Sequence, residues 1–186
     1  MSDDRSYPLE EQRPPSFARW AGELLLMVGI AFVLAMGIRT YIVMPYTIPS
    51  GSMIPTIQID ERVLVNKFIY RFQDPRPGDI VVLDDPMGGP IPLIKRVIAV
   101  AGQEVDINDG MVDVNGIPLV EPYTHGAITE MGGVNVPSVI PEGQIWLMGD
   151  NRTNSTDSRF FGPRPLSSVH GRAFLRIWPL SRIETL

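Results

Sequence analysis

Two serines, one residue apart and enclosed by prolines, are the first feature of this sequence that could do chemistry. The stretch Ile48-Pro49-Ser50-Gly51-Ser52-Met53-Ile54-Pro55-Thr56 combines prolines of fixed φ with a glycine, so it turns sharply and stiffly. A hydroxyl held outward on such a turn, with backbone N–H groups beside it, has the local geometry of an acyl-transfer nucleophile. An ordinary Pro/Ser/Gly loop has the same composition. Ser50-Gly51-Ser52 is also not the G-x-S-x-G elbow of a strand–helix turn.

A serine nucleophile needs a base. The chain has two histidines, His125 and His170; neither stands in a triad context, and each reads as a solvated or turn residue. It also has two lysines, Lys67 and Lys95. Lys67, in Asn66-Lys67-Phe68, fits a side chain that points into water. Lys95 lies in Leu93-Ile94-Lys95-Arg96-Val97-Ile98, where strand alternation puts it on one face with Leu93 and Val97. Aliphatic neighbours desolvate an amine and favour its neutral form, which a lysine general base requires. A strand lysine that snorkels to solvent is the plainer alternative.

A third segment, Gly149-Asp150-Asn151-Arg152-Thr153-Asn154-Ser155-Thr156-Asp157-Ser158-Arg159-Phe160-Phe161-Gly162-Pro163, is dense in short hydrogen-bonding side chains. As a functional element it could hold a buried amine in place from a hydroxyl. As a polar surface turn, its Asp157/Arg159 pair would contribute little.

The elements that must position these residues are mostly strands. Val63-Leu64-Val65, Ile80-Val81-Val82-Leu83 and the run from Leu93 to Val100 are β-branched and separated by Pro/Gly/Asp turns. Val105-Asp106-Ile107 and the run from Met111 to Val114 flank Asn108-Asp109-Gly110, and Asn115-Gly116 follows; both are hairpin signals. Residues 121–143 read as a surface excursion. Gln144 to Met148 and Arg172 to Trp178 read as closing strands.

Ahead of the strands, Leu24 to Ile38 is an uninterrupted apolar run between Glu23 and Arg39. Extended by Trp20 on one side and Tyr41 on the other, with Arg39 snorkelling, it reaches the roughly 20 residues of a membrane span. A buried core helix and a cleaved signal peptide, with Ala35-Met36-Gly37 as its small-x-small site, compete with that reading. The expected plan is a flexible polar tail over 1–19, a transmembrane anchor over 20–42 and a β-rich domain over 45–186. A small appendage at about 104–143 belongs to that domain.

Composition excludes several classes. The net charge is −5 with no Lys/Arg-dense stretch, which disfavours nucleic-acid binding. With no cysteine there is no disulfide, thiolate metal site or cysteine nucleophile.

The order Ser-Gly-Ser-Met-x-Pro-Thr after an apolar anchor, then Ile-Lys-Arg-Val, then Gly-Asp-Asn-Arg-x-Asn-Ser-x-Asp-Ser-Arg closely resembles bacterial type I signal peptidases, the Ser/Lys endopeptidase family. Val63 to Phe72 with Arg76-Pro77-Gly78-Asp79-Ile80-Val81-Val82, and Gly171-Arg172-Ala173-Phe174, extend the likeness over about three-quarters of the chain, from Tyr46 onward. The resemblance implies a mainly β, partly closed, barrel-like catalytic domain on one N-terminal transmembrane helix. It implies Ser52 as nucleophile, Lys95 as unprotonated base, and the Ser50 hydroxyl with the Ser52 N–H as oxyanion hole. Ser155 would orient the lysine amine, with Asp157 and Arg159 as support.

The implied reaction is removal of signal peptides from exported preproteins after small-x-small sites, with no metal or cofactor. Ile48, Met53, Leu93 and Ile94 are the expected substrate pocket. The implied protein is a monomer, single-pass in the bacterial inner membrane, with the catalytic domain outside and the bilayer and preproteins as partners. A Ser/Lys self-cleaving regulator, normally soluble, and a non-catalytic membrane-tethered peptide-binding β domain are the rival readings.

Overall fold

The structure, a computed structural model, describes residues 17–41 and 43–186, with residues 38–41 as backbone only. Most of the expected tail, Ile42 and the side chains of Arg39 and Tyr41 lie outside the described residues. The chain separates into a helical unit up to Ile38 and a β-rich unit from Arg39.

Helix α1 runs from Phe17 to Tyr41, three residues earlier than the anchor boundary expected at Trp20. Twenty-five residues at a 1.5 Å rise span about 37 Å, more than the roughly 30 Å of a bilayer core. Leu25, Val28, Phe32, Val33 and Leu34 are all exposed, and they lie on every side of the helix. A helix apolar all round and unburied is not a core helix. The segment Phe17–Gly37 is long and apolar enough to cross a membrane.

The β-rich unit holds twelve strands among the described residues. Eight form one sheet: β1 (Val43–Thr47), β2 (Arg62–Asn66), β3 (Ile80–Leu83), β4 (Leu93–Val100), β9 (Gln144–Met148), β10 (Arg164–Pro165), β11 (Val169–Trp178) and β12 (Glu184–Thr185). Their order is β1-β2-β11-β3-β4-β9-β10, with β12 on β11. Strand β1 begins before Tyr46, where the β pattern first reads clearly, because Val43 and Met44 pair with Asn66 and Val65.

The second sheet is the appendage, ordered β7-β6-β5-β8, from β5 (Glu104–Asn108), β6 (Met111–Val114), β7 (Ile117–Pro118) and β8 (Ser138–Val139). Its β5–β6 connection is Asp109-Gly110 at φ 51° and 78°, the two positive values a type I′ hairpin requires.

Three apolar clusters form the core, and β4 touches all of them. Ile94 joins Met53, Ile80 and Val82. Val97 joins Val81, Leu83 and Leu147 on the opposite face of β3. Ile98 and Ala99 join Trp146, Val105 and Val112, which tie the two sheets together. Strand β3 is buried along its whole length because both its faces are covered, hence a continuous apolar run rather than an alternating one. A register shift between Val97 and Ala99 against β9 lets consecutive residues of β4 feed different clusters.

Candidate active site

The turn carrying Ser52 is fixed from below by apolar side chains. Ile48, Met53 and Ile57 are buried in one cluster, and the Ile57 N–H donates to the Met53 carbonyl at 2.9 Å. It is gripped from the side by the polar segment. The Asn151 N–H donates to the Ser52 carbonyl at 3.0 Å, the Asn151 Nδ2 to the Gly51 carbonyl at 3.0 Å, and the Thr56 hydroxyl to Asp150. Gly149 is required by this close approach: a Cβ there would stand 2.4 Å from the Ser52 carbonyl oxygen and 2.3 Å from Ser155 Oγ.

Lys95 arrives from the sheet. It lies opposite Val81 on β3 and is 2% exposed. Its Nζ is 2.8 Å from Ser52 Oγ and 3.1 Å from the Ile94 carbonyl oxygen. Burial pushes the Lys95 amine down to about 8; Asp157 opposes that shift and Arg159 reinforces it. The amine therefore does not snorkel. Lys67 is exposed, and neither histidine lines the cleft: His170 instead bridges Tyr46 Oη at 3.2 Å and Asp84 at 2.7 Å.

The charged residues of the polar segment are buried, while Thr153, Asn154 and Thr156 stay exposed. Asp157 and Arg159 are 0% and 2% exposed. Asp157 caps the single-turn helix α2 (Ser158–Phe161) and accepts from Arg159 Nε at 2.8 Å and from the Gly149 N–H at 3.0 Å. A buried pair with every oxygen occupied is tolerated; removing one partner strands the other charge.

Above Ser52 and Lys95 opens a cleft of about 260 Å³, walled by Ser50, Leu93, Asn154, Ser155 and Thr156. Ser50 is exposed at its mouth. The Ser155 hydroxyl is buried there without a hydrogen-bond partner among the described residues. Of the four residues expected to form a substrate pocket, Leu93 lines the cleft, whereas Ile48, Met53 and Ile94 are packed in the core at 2%, 0% and 5% exposure. Asn151, Asp150, Arg96 and Thr56 have positions at the site that sequence reasoning did not assign.

The contact between a buried lysine amine and a serine hydroxyl on a stiff turn prompts comparison with known proteins. A family model described as signal peptidase, peptidase S26, matches residues 21–178. The chain belongs to the signal peptidase family. It is thus a peptidase and a hydrolase. A probable signal peptidase I-1 of a Synechocystis species is 40% identical over 90% of this chain and 88% of its own length. The signal peptidase I of Leptolyngbya laminosa is 39% identical over 86% and 80%, and that of Mycobacterium tuberculosis 34% identical over 97% and 80%. Among solved structures, a signal peptidase I from Enterococcus faecalis is 29% identical with a TM-score of 0.48, covering 54% of this chain and 97% of that one.

Proposed function

We propose that the chain removes signal peptides from exported preproteins with Ser52 as nucleophile and Lys95 as general base, cutting after small-x-small sites. The observation that carries this is the 2.8 Å contact between the desolvated Lys95 amine and Ser52 Oγ. With its pKa near 8, the amine is neutral in an appreciable fraction of molecules at neutral pH. In that state the direction of the hydrogen bond reverses, and Ser52 donates to the nitrogen lone pair.

Ser52 Oγ then attacks the scissile carbonyl as Lys95 takes its proton. The Ser52 N–H and the Ser50 hydroxyl stabilise the oxyanion. The lysine ammonium returns the proton to the departing amine, and the acyl-enzyme is hydrolysed by a water that Lys95 deprotonates. Ser155, whose buried hydroxyl has no hydrogen-bond partner among the described residues, is suited to orient the amine. Asp157 and Arg159 brace that arrangement.

The sheet also supports a mode of substrate binding. Strand β4 pairs with β3 from Leu93 to Arg96, but its pairing with β9 begins only at Arg96. Leu93–Lys95 therefore present one open edge to which an extended peptide can add a strand. The cleft bordered by Leu93 has room for small side chains, with Ile48, Met53 and Ile94 as its packed support.

The described helix fits a single-pass membrane protein, and the family match begins inside it, at residue 21. In this proposal the β-rich unit works on the outer side of the bacterial inner membrane, as a monomer and without metal or cofactor. The test is incubation with a preprotein bearing an Ala-x-Ala site. Wild type should release the mature product, and Lys95→Met should release none; cleavage by Lys95→Met would remove the assignment.

A further inference from the structure

The excursion after β7 lies mainly on the surface, as expected, but Glu121 and Thr129 reach from it into the charged network behind the site. Both Glu121 carboxylate oxygens bond the Arg152 guanidinium, which is 2% exposed and also donates to Thr129 Oγ1 at 2.7 Å. Arg152 Nε donates to the Gly149 carbonyl at 3.2 Å, and the Arg152 carbonyl accepts from Arg159 at 2.8 Å. Arg152 therefore sets the backbone of the segment whose next residues hold the Ser52 turn on one side and the Asp157–Arg159 pair on the other.

Two residues on, Tyr123 donates to Glu121 at 2.9 Å, and its ring lies 4.1 Å from the Arg96 guanidinium carbon. Arg96 follows Lys95 in β4 and holds Asp150 at 2.8 and 2.6 Å, and Asp150 in turn accepts from Thr56 on the nucleophile turn. A cation against an aromatic face is favoured and shielded from water, so Tyr123 covers the Arg96–Asp150 pair. The excursion is also seated backbone to backbone on Arg159: a Cβ on Gly132 would stand 2.1 Å from the Arg159 carbonyl oxygen.

We propose that Glu121 and Tyr123 are positioning residues of the Ser52–Lys95 site, acting through Arg152 and Arg96. The proposal rests on the dyad reading above. The appendage thereby becomes a brace that holds the nucleophile turn and the base strand in register, and small misplacements of reacting groups are costly to rate.

The test uses the full chain in detergent micelles with an Ala-x-Ala preprotein. It compares Glu121→Gln, Tyr123→Leu and Tyr123→Phe with wild type, and rates are expressed per folded molecule from circular dichroism at the assay temperature. Glu121→Gln and Tyr123→Leu should each lower kcat by about tenfold with KM changed less than about twofold. Tyr123→Phe, which keeps the ring over Arg96, should retain most of kcat. Should Glu121→Gln not fold, the Tyr123 pair carries the same comparison. Wild-type kcat per folded molecule in Glu121→Gln and Tyr123→Leu, or equal losses in Tyr123→Phe and Tyr123→Leu, overturns the brace. Lys95→Met run alongside separates the two readings: if it cleaves, the dyad falls and the brace with it, whereas an inactive Lys95→Met beside fully active brace variants overturns the brace alone.

Discussion

The turn bearing Ser52 and the polar segment facing it are held by opposite kinds of force. Residues 48–57 are seated by Ile48, Met53 and Ile57, whose burial is non-directional and scales with the apolar area removed from water. Residues 149–159 are seated by Asp150, Arg152, Asp157 and Arg159, all buried and all bonded. The apolar turn supplies rigidity without placing any charge beside the amine. The polar segment supplies charges of both signs around Lys95, so Asp157 and Arg159 partly offset one another there while burial dominates. An amine poised near neutrality needs both: a greasy seat to depress its pKa and a balanced field that does not restore it.

The largest test of this contrast removes the groups that meet between the two regions. Ser52→Ala and Lys95→Met should each reduce preprotein cleavage to background while the circular dichroism spectrum stays that of wild type. Substantial turnover in either variant would detach chemistry from this geometry.

Next in size is the charged region. Asp157→Ala leaves the Arg159 guanidinium buried without its carboxylate, so chemical denaturation should show a loss of about 3–5 kcal/mol. A change below about 1 kcal/mol would place that pair on the surface of the energy balance. On the other side of the cleft, Ser50→Ala should raise the barrier by about 2.7–4 kcal/mol without changing stability. Unchanged kcat would exclude Ser50 from the oxyanion site.

The smallest effect is a pH dependence that reads the apolar seat directly. Cleavage should rise with pH through an apparent pKa near 8 rather than near the roughly 10.4 of free lysine. Folding stability follows by linkage. The Lys95 pKa is about 8 folded, against roughly 10.4 for a free lysine, so between those values the unfolded chain binds more protons and stability rises with pH. Below about 8 the burial cost is present in full. Lys95→Met should therefore be more stable than wild type at pH 7, by on the order of 3 kcal/mol, with the gap closing toward the pKa of free lysine. A gap that does not change with pH would argue against a desolvated amine.

Much of this was legible along the chain. Period-two alternation around Lys95 placed it among aliphatics, and the β-rich runs at 63–65, 80–83 and 93–100 became β2, β3 and β4. Asn115-Gly116, with both φ positive, formed the turn its residues demand. The excursion lies mainly on the surface, as its composition suggests, with only Thr124, Thr129 and Ile140 buried; its inward ionic contact was not legible because weakly apolar, Gly/Pro-punctuated sequence carries no periodic signal. Glu121 meets Arg152 across 31 residues, and nothing local in either segment points to the other. Ile48, Met53 and Ile94, expected in the substrate pocket, have side chains that pack in the core beneath the cleft, a depth that strand and turn patterning alone does not give.

The sequence by itself determined the element types, the apolar helix, the stiff serine turn and the aliphatic surroundings of one lysine, because these depend on local sterics and on short-period patterning. Only the tertiary structure decided that the Lys95 amine stops 2.8 Å from Ser52 and that the acidic and basic side chains of 149–159 are buried together. The reason is that β4 pairs with β9 so that Arg96 lies opposite Met148, and that pairing, formed between strands some fifty residues apart in the chain, carries Gly149 and everything after it to the Ser52 turn.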